Sequence, residues 1–404
     1  MATVSVILSL SLVLTNCSIV DVEHGGIQEN RNLLIEGQFI KRATDGRKRL
    51  KGRPLDLKGA YVLPGLFNMH NNLSMVFPFK NTNLAESPAI TVLRCYRRAH
   101  DALMAGITTL RTVGEQNRVD LYLKKMINEG WVKGPRIFAG GKGLGTVGGH
   151  GSDFGQIETK GPEEFGKAAR RELARGADHL KIFITGGIAK QEEDFENPQM
   201  IKEEMAAVVS AARSRGTYVA AHAGSSLPIM KAVEAGVKCF EHGYVLNREA
   251  AQTIKNSNGY LVPTLSVTRS GDWMRENGFE EWTIKKALSA KKTHMESTKT
   301  AIRAGVTILN GTDLPPGDSD NEVNTTVREI EFLAEAGLSP LEALRAATIY
   351  PSALCGVSNK LGSVNEGYLA DLVGVASNPL SDVRALEKIG FVMKDGEIFR
   401  NDLQ

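Results

Sequence analysis

Five residues of this sequence share one placement: His70, Lys181, His222, His242 and Asp313 each stand in or just after a short apolar, β-rich run. Imidazole and carboxylate are the ligands that zinc and related divalent cations prefer. A single His or Asp beside a strand is most often an ordinary hydrogen-bonding residue, but five in matching positions point to a metal centre. Lys181 is the odd member, because HLKIFIT is otherwise apolar and a buried ammonium is costly unless paired or chemically altered. A carbamate on Lys181 removes that cost and gives an anion able to bridge two cations.

The five can meet only if the runs converge, and the sequence supplies eight of them: 61–71, 106–114, 136–141, 179–187, 217–225, 238–246, 260–266 and 306–315. Amphipathic stretches such as AARRELARGA and KAVEAG lie between several. This alternation is the pattern of βαβ units, and eight of them predict a closed (β/α)8 TIM-like barrel, whose strand carboxyl ends gather on one face. Residues 62–359 are assigned to the barrel. Residues 1–61 and 360–404 carry short β-branched runs with turn chemistry, including a hairpin signal at Asp395-Gly396, and are expected to form a small β-sandwich domain together.

Composition excludes several classes. Of 404 residues, 42% are hydrophobic and 24% charged, near globular averages, and 41 glycines fit many strand–loop–helix junctions. The net charge of +3, from 49 basic and 46 acidic residues, gives no field that implies nucleic acid or an anionic membrane. Cys17, Cys95, Cys239 and Cys355 are far apart, so neither a disulfide framework nor a thiolate metal site is expected, and a reducing, cytoplasmic location fits. The apolar start MATVSVILSLSLVL lacks a basic leader and a small-residue cleavage site, and is read as strand instead of export signal. GTVGGHG lacks the Lys-Ser/Thr ending of a nucleotide-binding loop.

The motifs VLPGLFNMHNN, AGITTLRTVG, GADHLKIFITGG, VAAHA, FEHG, LNGTD and LEALRAAT together resemble the amidohydrolase superfamily, in its imidazolonepropionase-like and prolidase-like branch. The resemblance covers nearly the whole chain. It implies His70 as the first strand-1 metal ligand, Lys181 as the carboxylated bridging lysine, and His222 and His242 as ligands of a second metal. Asp313 would be the catalytic aspartate, taking the proton of a metal-activated water and returning it to the leaving nitrogen. The metal would be a divalent ion such as zinc, one or two per chain; the substrate a small molecule; and the assembly a homo-oligomer.

One departure stands out. The family's strand-1 motif is usually Asp-x-His-x-His, whereas this chain reads Asn68-Met69-His70-Asn71-Asn72. Asn72 replaces the second His, and an amide oxygen is a weaker ligand, so this half of the centre is expected to be weakened, with Asn72 or Asn68 giving at most a carbonyl oxygen. The Asn variant resembles phenylurea and molinate hydrolases, which suggests an amide, N-substituted urea or carbamate as substrate, including xenobiotics such as phenylureas. His150, in a glycine-rich loop, either contacts the substrate's oxygen and assists catalysis or caps a backbone carbonyl. Tyr244 either faces the substrate or packs. Phe77, Phe79, Trp273 and Trp282 either build an aryl-binding wall or, the commoner fate of such residues, belong to the core or an interface. The alternatives are a prolidase-like peptidase for dipeptides or N-acyl amino acids, with Arg111 anchoring the substrate carboxylate unless it pairs with Glu115, and an inactive scaffold suggested by Asn68 and Asn72.

Overall fold

The computed structural model describes residues 11–403, so the strand expected over residues 4–10 lies outside the described residues. Five strands open the chain: β1 Leu12–Asp21, β2 Gly26–Glu36, β3 Phe39–Asp45, β4 Arg53–Asp56 and β5 Tyr61–Pro64. β1 turns into β2 at Gly25 and Gly26, both at positive φ that glycine adopts without strain. A kink at Asn16, with φ 53, divides β1 so that its first half runs parallel to β4 and its second half parallel to β5.

The barrel strands follow. β6 (Leu66–Asn71), β7 (Ile107–Thr112) and β8 (Arg136–Phe138) form one parallel set. Two short strands, β9 (Leu144–Thr146) and β10 (Ile157–Thr159), edge a second set completed by β11 (Leu180–Phe183), β12 (Val219–Ser225), β13 (Cys239–Val245), β14 (Tyr260–Val262) and β15 (Thr307–Ile308). Each of the eight predicted runs contains one barrel strand. Backbone hydrogen bonds bridge both seams: Met69 N–H to the Asn310 carbonyl at 2.8 Å on one side, and Asp178 N–H to the Ala139 carbonyl at 2.8 Å on the other. The eight parallel strands therefore run round into a ring, the TIM-like barrel that the alternation predicts.

Strand alternation sorts the side chains. Ile182, Ala221, Phe240 and Leu261 point outward into an apolar layer shared with the surrounding helices, while Ala220, Cys239, Val262 and Leu309 fill the barrel interior. A small hairpin, β16 (Ser319–Asp320) and β17 (Val323–Asn324), follows β15. The chain ends in β18 (Leu372–Val375), β19 (Ile389–Lys394) and β20 (Glu397–Asn401), the last two joined at Asp395-Gly396 with both residues at positive φ, as the hairpin signal anticipated. β18 pairs with β5, so the strands of the two termini join in one continuous sheet around Leu14, Leu33, Ile40, Val62, Leu372 and Phe391. The four cysteines are free. Among the described residues no helix is long and apolar enough to cross a membrane.

Candidate active site

The polar floor of the site grows from the carboxyl ends of the barrel strands. His70, at the end of β6, holds Nδ1 2.7 Å from Glu241 Oε2, and the other Glu241 oxygen lies 2.7 Å from Arg111 Nη2. Arg111 also donates to the Met69 carbonyl and to Cys239 Sγ. Arg111 and Glu241 are fully buried. Burial alone would raise the Glu241 carboxyl, but Arg111 and His70 overcome it and hold it well below the usual carboxylate range. An ionised Glu241 accepts from His70 Nδ1–H, which leaves Nε2 with its lone pair.

The other histidines are fixed in the same way. Thr264 Oγ1 donates to the Pro263 carbonyl and lies 2.7 Å from His242 Nδ1, so that nitrogen is the donor and Nε2 is left bare. His222 Nε2 donates to the Gly186 carbonyl at 2.9 Å, leaving Nδ1. Burial, with neighbouring histidines and Lys181 adding to it, pushes both rings well below the usual imidazole value, so they stay neutral and able to ligate. Asp313 Oδ1 stands 3.1 Å from His70 Nε2 and accepts from Asn72 Nδ2 at 2.5 Å. His70, His242 and Asp313 each offer a ligand atom within 4.8 Å of the others.

Lys181 reaches inward from β11, 1% exposed, and its Nζ has no hydrogen-bond partner. Burial lowers its amine to about 8, against the opposing pull of Glu241 and Asp313. An orphaned, readily deprotonated amine beside three convergent ligands is the chemistry that a carbamate and a divalent cation would satisfy. His242 and Asp313 both adopt left-handed backbone, φ 72 and 57, a strain that recurs where geometry is held for function. At His242 this turn breaks strand alternation, which is why the successive residues Glu241 and His242 both approach His70.

Above the floor lies a cavity whose upper wall is aromatic and aliphatic. Phe77 stacks on Phe279 with centroids 5.4 Å apart, and Phe79 meets both Phe279 and Phe154 edge-on. Met274, Val267, Ile188 and Leu314 complete that side, and Tyr244 lies parallel to the His242 ring, 5.1 Å away. Among the described residues, Lys181 is the one Lys or Arg that lines the cavity.

The structure brings His70, Asn72, His150, Lys181, His222, His242, Tyr244 and Asp313 to one cavity. Four expectations need correction. Arg111 is no carboxylate anchor at the rim: it lies inside the barrel with Glu241, not Glu115, as its partner. Asn68 cannot offer its oxygen to a metal, because that oxygen accepts the backbone N–H groups of His70 and Thr312. His150 caps no backbone carbonyl; its Nδ1 meets Glu193 Oε2 at 2.6 Å. Trp273 backs Phe77 and Phe279 from behind, and neither it nor Trp282 lines the cavity. Sequence reading missed Glu241, Thr264 and Glu193. For Thr264 a signal existed: the seventh run, YLVPTLS, was the one late strand to which no site residue was assigned.

Known proteins resemble this chain over most of its length. An ochratoxinase of Aspergillus niger is 29% identical, over 92% of this chain and 83% of that protein. The crystal structure of a Xaa-Pro dipeptidase with bound methionine in its active site superposes with a TM-score of 0.89 at 30% identity, covering 97% of this chain and all of that one. Molinate hydrolase and phenylurea hydrolase B, at 19% and 22% identity with TM-scores of 0.82 and 0.81, share the fold. The model of the amidohydrolase family matches residues 61–399, which takes in the whole barrel and every residue of the polar floor, so the chain belongs to the amidohydrolase family and is a hydrolase acting on C–N bonds.

Proposed function

We propose that this protein hydrolyses the C–N bond of an amide, N-substituted urea or carbamate that carries an aryl or other bulky apolar group. The observation that carries the reading is the pairing of a compact His70, His242 and Asp313 cluster with an aromatic wall and no arginine among the described lining residues. An apolar substituent gains from burial against Phe77, Phe79 and Phe279, whereas a free carboxylate finds no guanidinium there.

The donor set fits a divalent cation such as zinc: His70, His242 and Asp313, with His222 and a carboxylated Lys181, would hold it. When bound, such an ion supplies a nucleophilic water at neutral pH and polarises the scissile carbonyl. Asp313 then takes the water's proton on a carboxylate oxygen and hands it to the leaving nitrogen, serving as base and acid in turn. Asn72 Nδ2, donating to Asp313 Oδ1, leaves the second oxygen as the free proton acceptor. His150 and Tyr244 line the same cavity, and His150 would contact the carbonyl oxygen of a bound substrate.

Likeness to the Xaa-Pro dipeptidase favours a second reading, a peptidase for dipeptides or N-acyl amino acids. Metal stoichiometry by elemental analysis, with hydrolysis assays on an aryl urea, an aryl carbamate, an anilide and a dipeptide panel, separates the two. About one metal with turnover of the apolar substrates is the expected outcome; two metals with selective dipeptide cleavage would establish the peptidase.

A further inference from the structure

His150 is placed differently from the rest of the site. It belongs to no strand but to the loop between β9 and β10, flanked by Gly148, Gly149 and Gly151, of which Gly148 and Gly151 have positive φ. A glycine-rich loop fixes a ring poorly by itself. The tethers come from the segment that follows β11. Gln199 Oε1 accepts the His150 backbone N–H at 2.8 Å, and Glu193 Oε2 lies 2.6 Å from Nδ1. The same Glu193 oxygen accepts Gly187 N–H at 2.9 Å, and a Cβ on Gly187 would stand 2.2 Å from the imidazole. The ring is thus pressed against the backbone of this segment.

That segment is itself secured. Lys286 Nζ donates to the carbonyls of Lys190 and Glu193, both at 2.5 Å, and Ser225 Oγ donates to the Glu196 carbonyl at 3.1 Å. Lys190 reaches back to Asp153, in the loop that follows His150. We infer that Glu193 is the positioning residue of the site: it grips His150 through Nδ1, leaves Nε2 as the nitrogen free to face the substrate, and makes the placement of His150 depend on the segment 186–199 that Lys286 holds closed. This rests on the reading of His150 as the group that contacts the substrate's carbonyl oxygen.

The test uses the full-length, metal-loaded protein with the best substrate of the panel, and the variants His150→Asn, Glu193→Ala, Glu193→Gln and the double variant His150→Asn with Glu193→Ala. Each of the first two is expected to lower kcat/KM by roughly 10–100-fold, as loss of a group that orients an active-site side chain does. The double variant should lose no more than the worse single one, because both act through one imidazole. Glu193→Gln keeps an oxygen that can accept Nδ1–H and should recover most of the activity. Without substrate, Glu193→Ala should speed hydrogen exchange in residues 145–152 at unchanged metal content. Loss in His150→Asn with none in Glu193→Ala, or additive losses in the double variant, would overturn the positioning role alone. No loss in His150→Asn would overturn the reading of His150, and the role of Glu193 with it.

Discussion

The floor and the wall of the cavity are built on different principles. Every ligand candidate on the floor comes from a barrel strand or its end, and His70, His222 and His242 are each held by a hydrogen bond that selects one ring nitrogen. The wall comes from the segments between strands, short helices included: Phe77 and Phe79 after β6, Phe154 before β10, and Met274 and Phe279 after β14. Its members touch through ring faces and edges. Direction and charge decide the floor, so one wrong atom is costly. Shape and area decide the wall, so one altered ring changes which substrate fits more than whether the reaction runs.

The largest expected effect falls on Asp313, the floor group assigned to move the proton. Asp313→Asn should cut kcat by about 10^2–10^4-fold, the usual contribution of a general base, while denaturant unfolding stays nearly unchanged because the side chain is 22% exposed. Glu241 sharpens the contrast within the floor. Glu241→Gln leaves Arg111 buried without its counter-charge and His70 without the carboxylate that fixes its tautomer. Metal-free protein should lose about 3–5 kcal/mol in urea unfolding, and metal affinity should fall about 10–100-fold. A variant that bound metal normally at unchanged stability would break the view that the floor is fixed from below.

The same division explains what the sequence revealed. Strand ends are legible, because a β-rich run followed by His, Lys or Asp marks both the element and the position on it; each of the eight runs holds a barrel strand, and the residues singled out on them line one cavity. Segments 71–90, 142–160, 188–200 and 266–290 each contribute lining residues to the cavity. Periodicity does not encode their conformations, so the sequence leaves Trp273 and Trp282 open between wall and core and gives no sign that Phe154 and Phe279 line the cavity. Glu241 was hidden for a different reason: strand alternation places it opposite His242, and only the left-handed turn at His242 brings both to His70. Arg111 reads from sequence as a rim residue, but the β7 register carries it into the barrel, where Glu241 neutralises it.

The smallest expected effect, and the most specific to the wall, concerns Phe279. It is buried, stacks on Phe77 and meets Phe79 edge-on, so it joins the loop after β6 to the one after β14. Phe279→Leu keeps an apolar side chain but removes the ring face, and discrimination set by such contacts is worth about 1–3 kcal/mol. KM for an aryl substrate should rise roughly tenfold relative to an N-alkyl analogue of the same linkage, with kcat nearly unchanged, because no floor atom moves. Steady-state kinetics on the matched aryl and alkyl pair reads this directly. An equal rise in KM for both would mean that the wall encloses the substrate without recognising its ring, whereas a fall in kcat would mean that wall and floor are coupled through Phe79 and Phe154, which meet edge-on above His150.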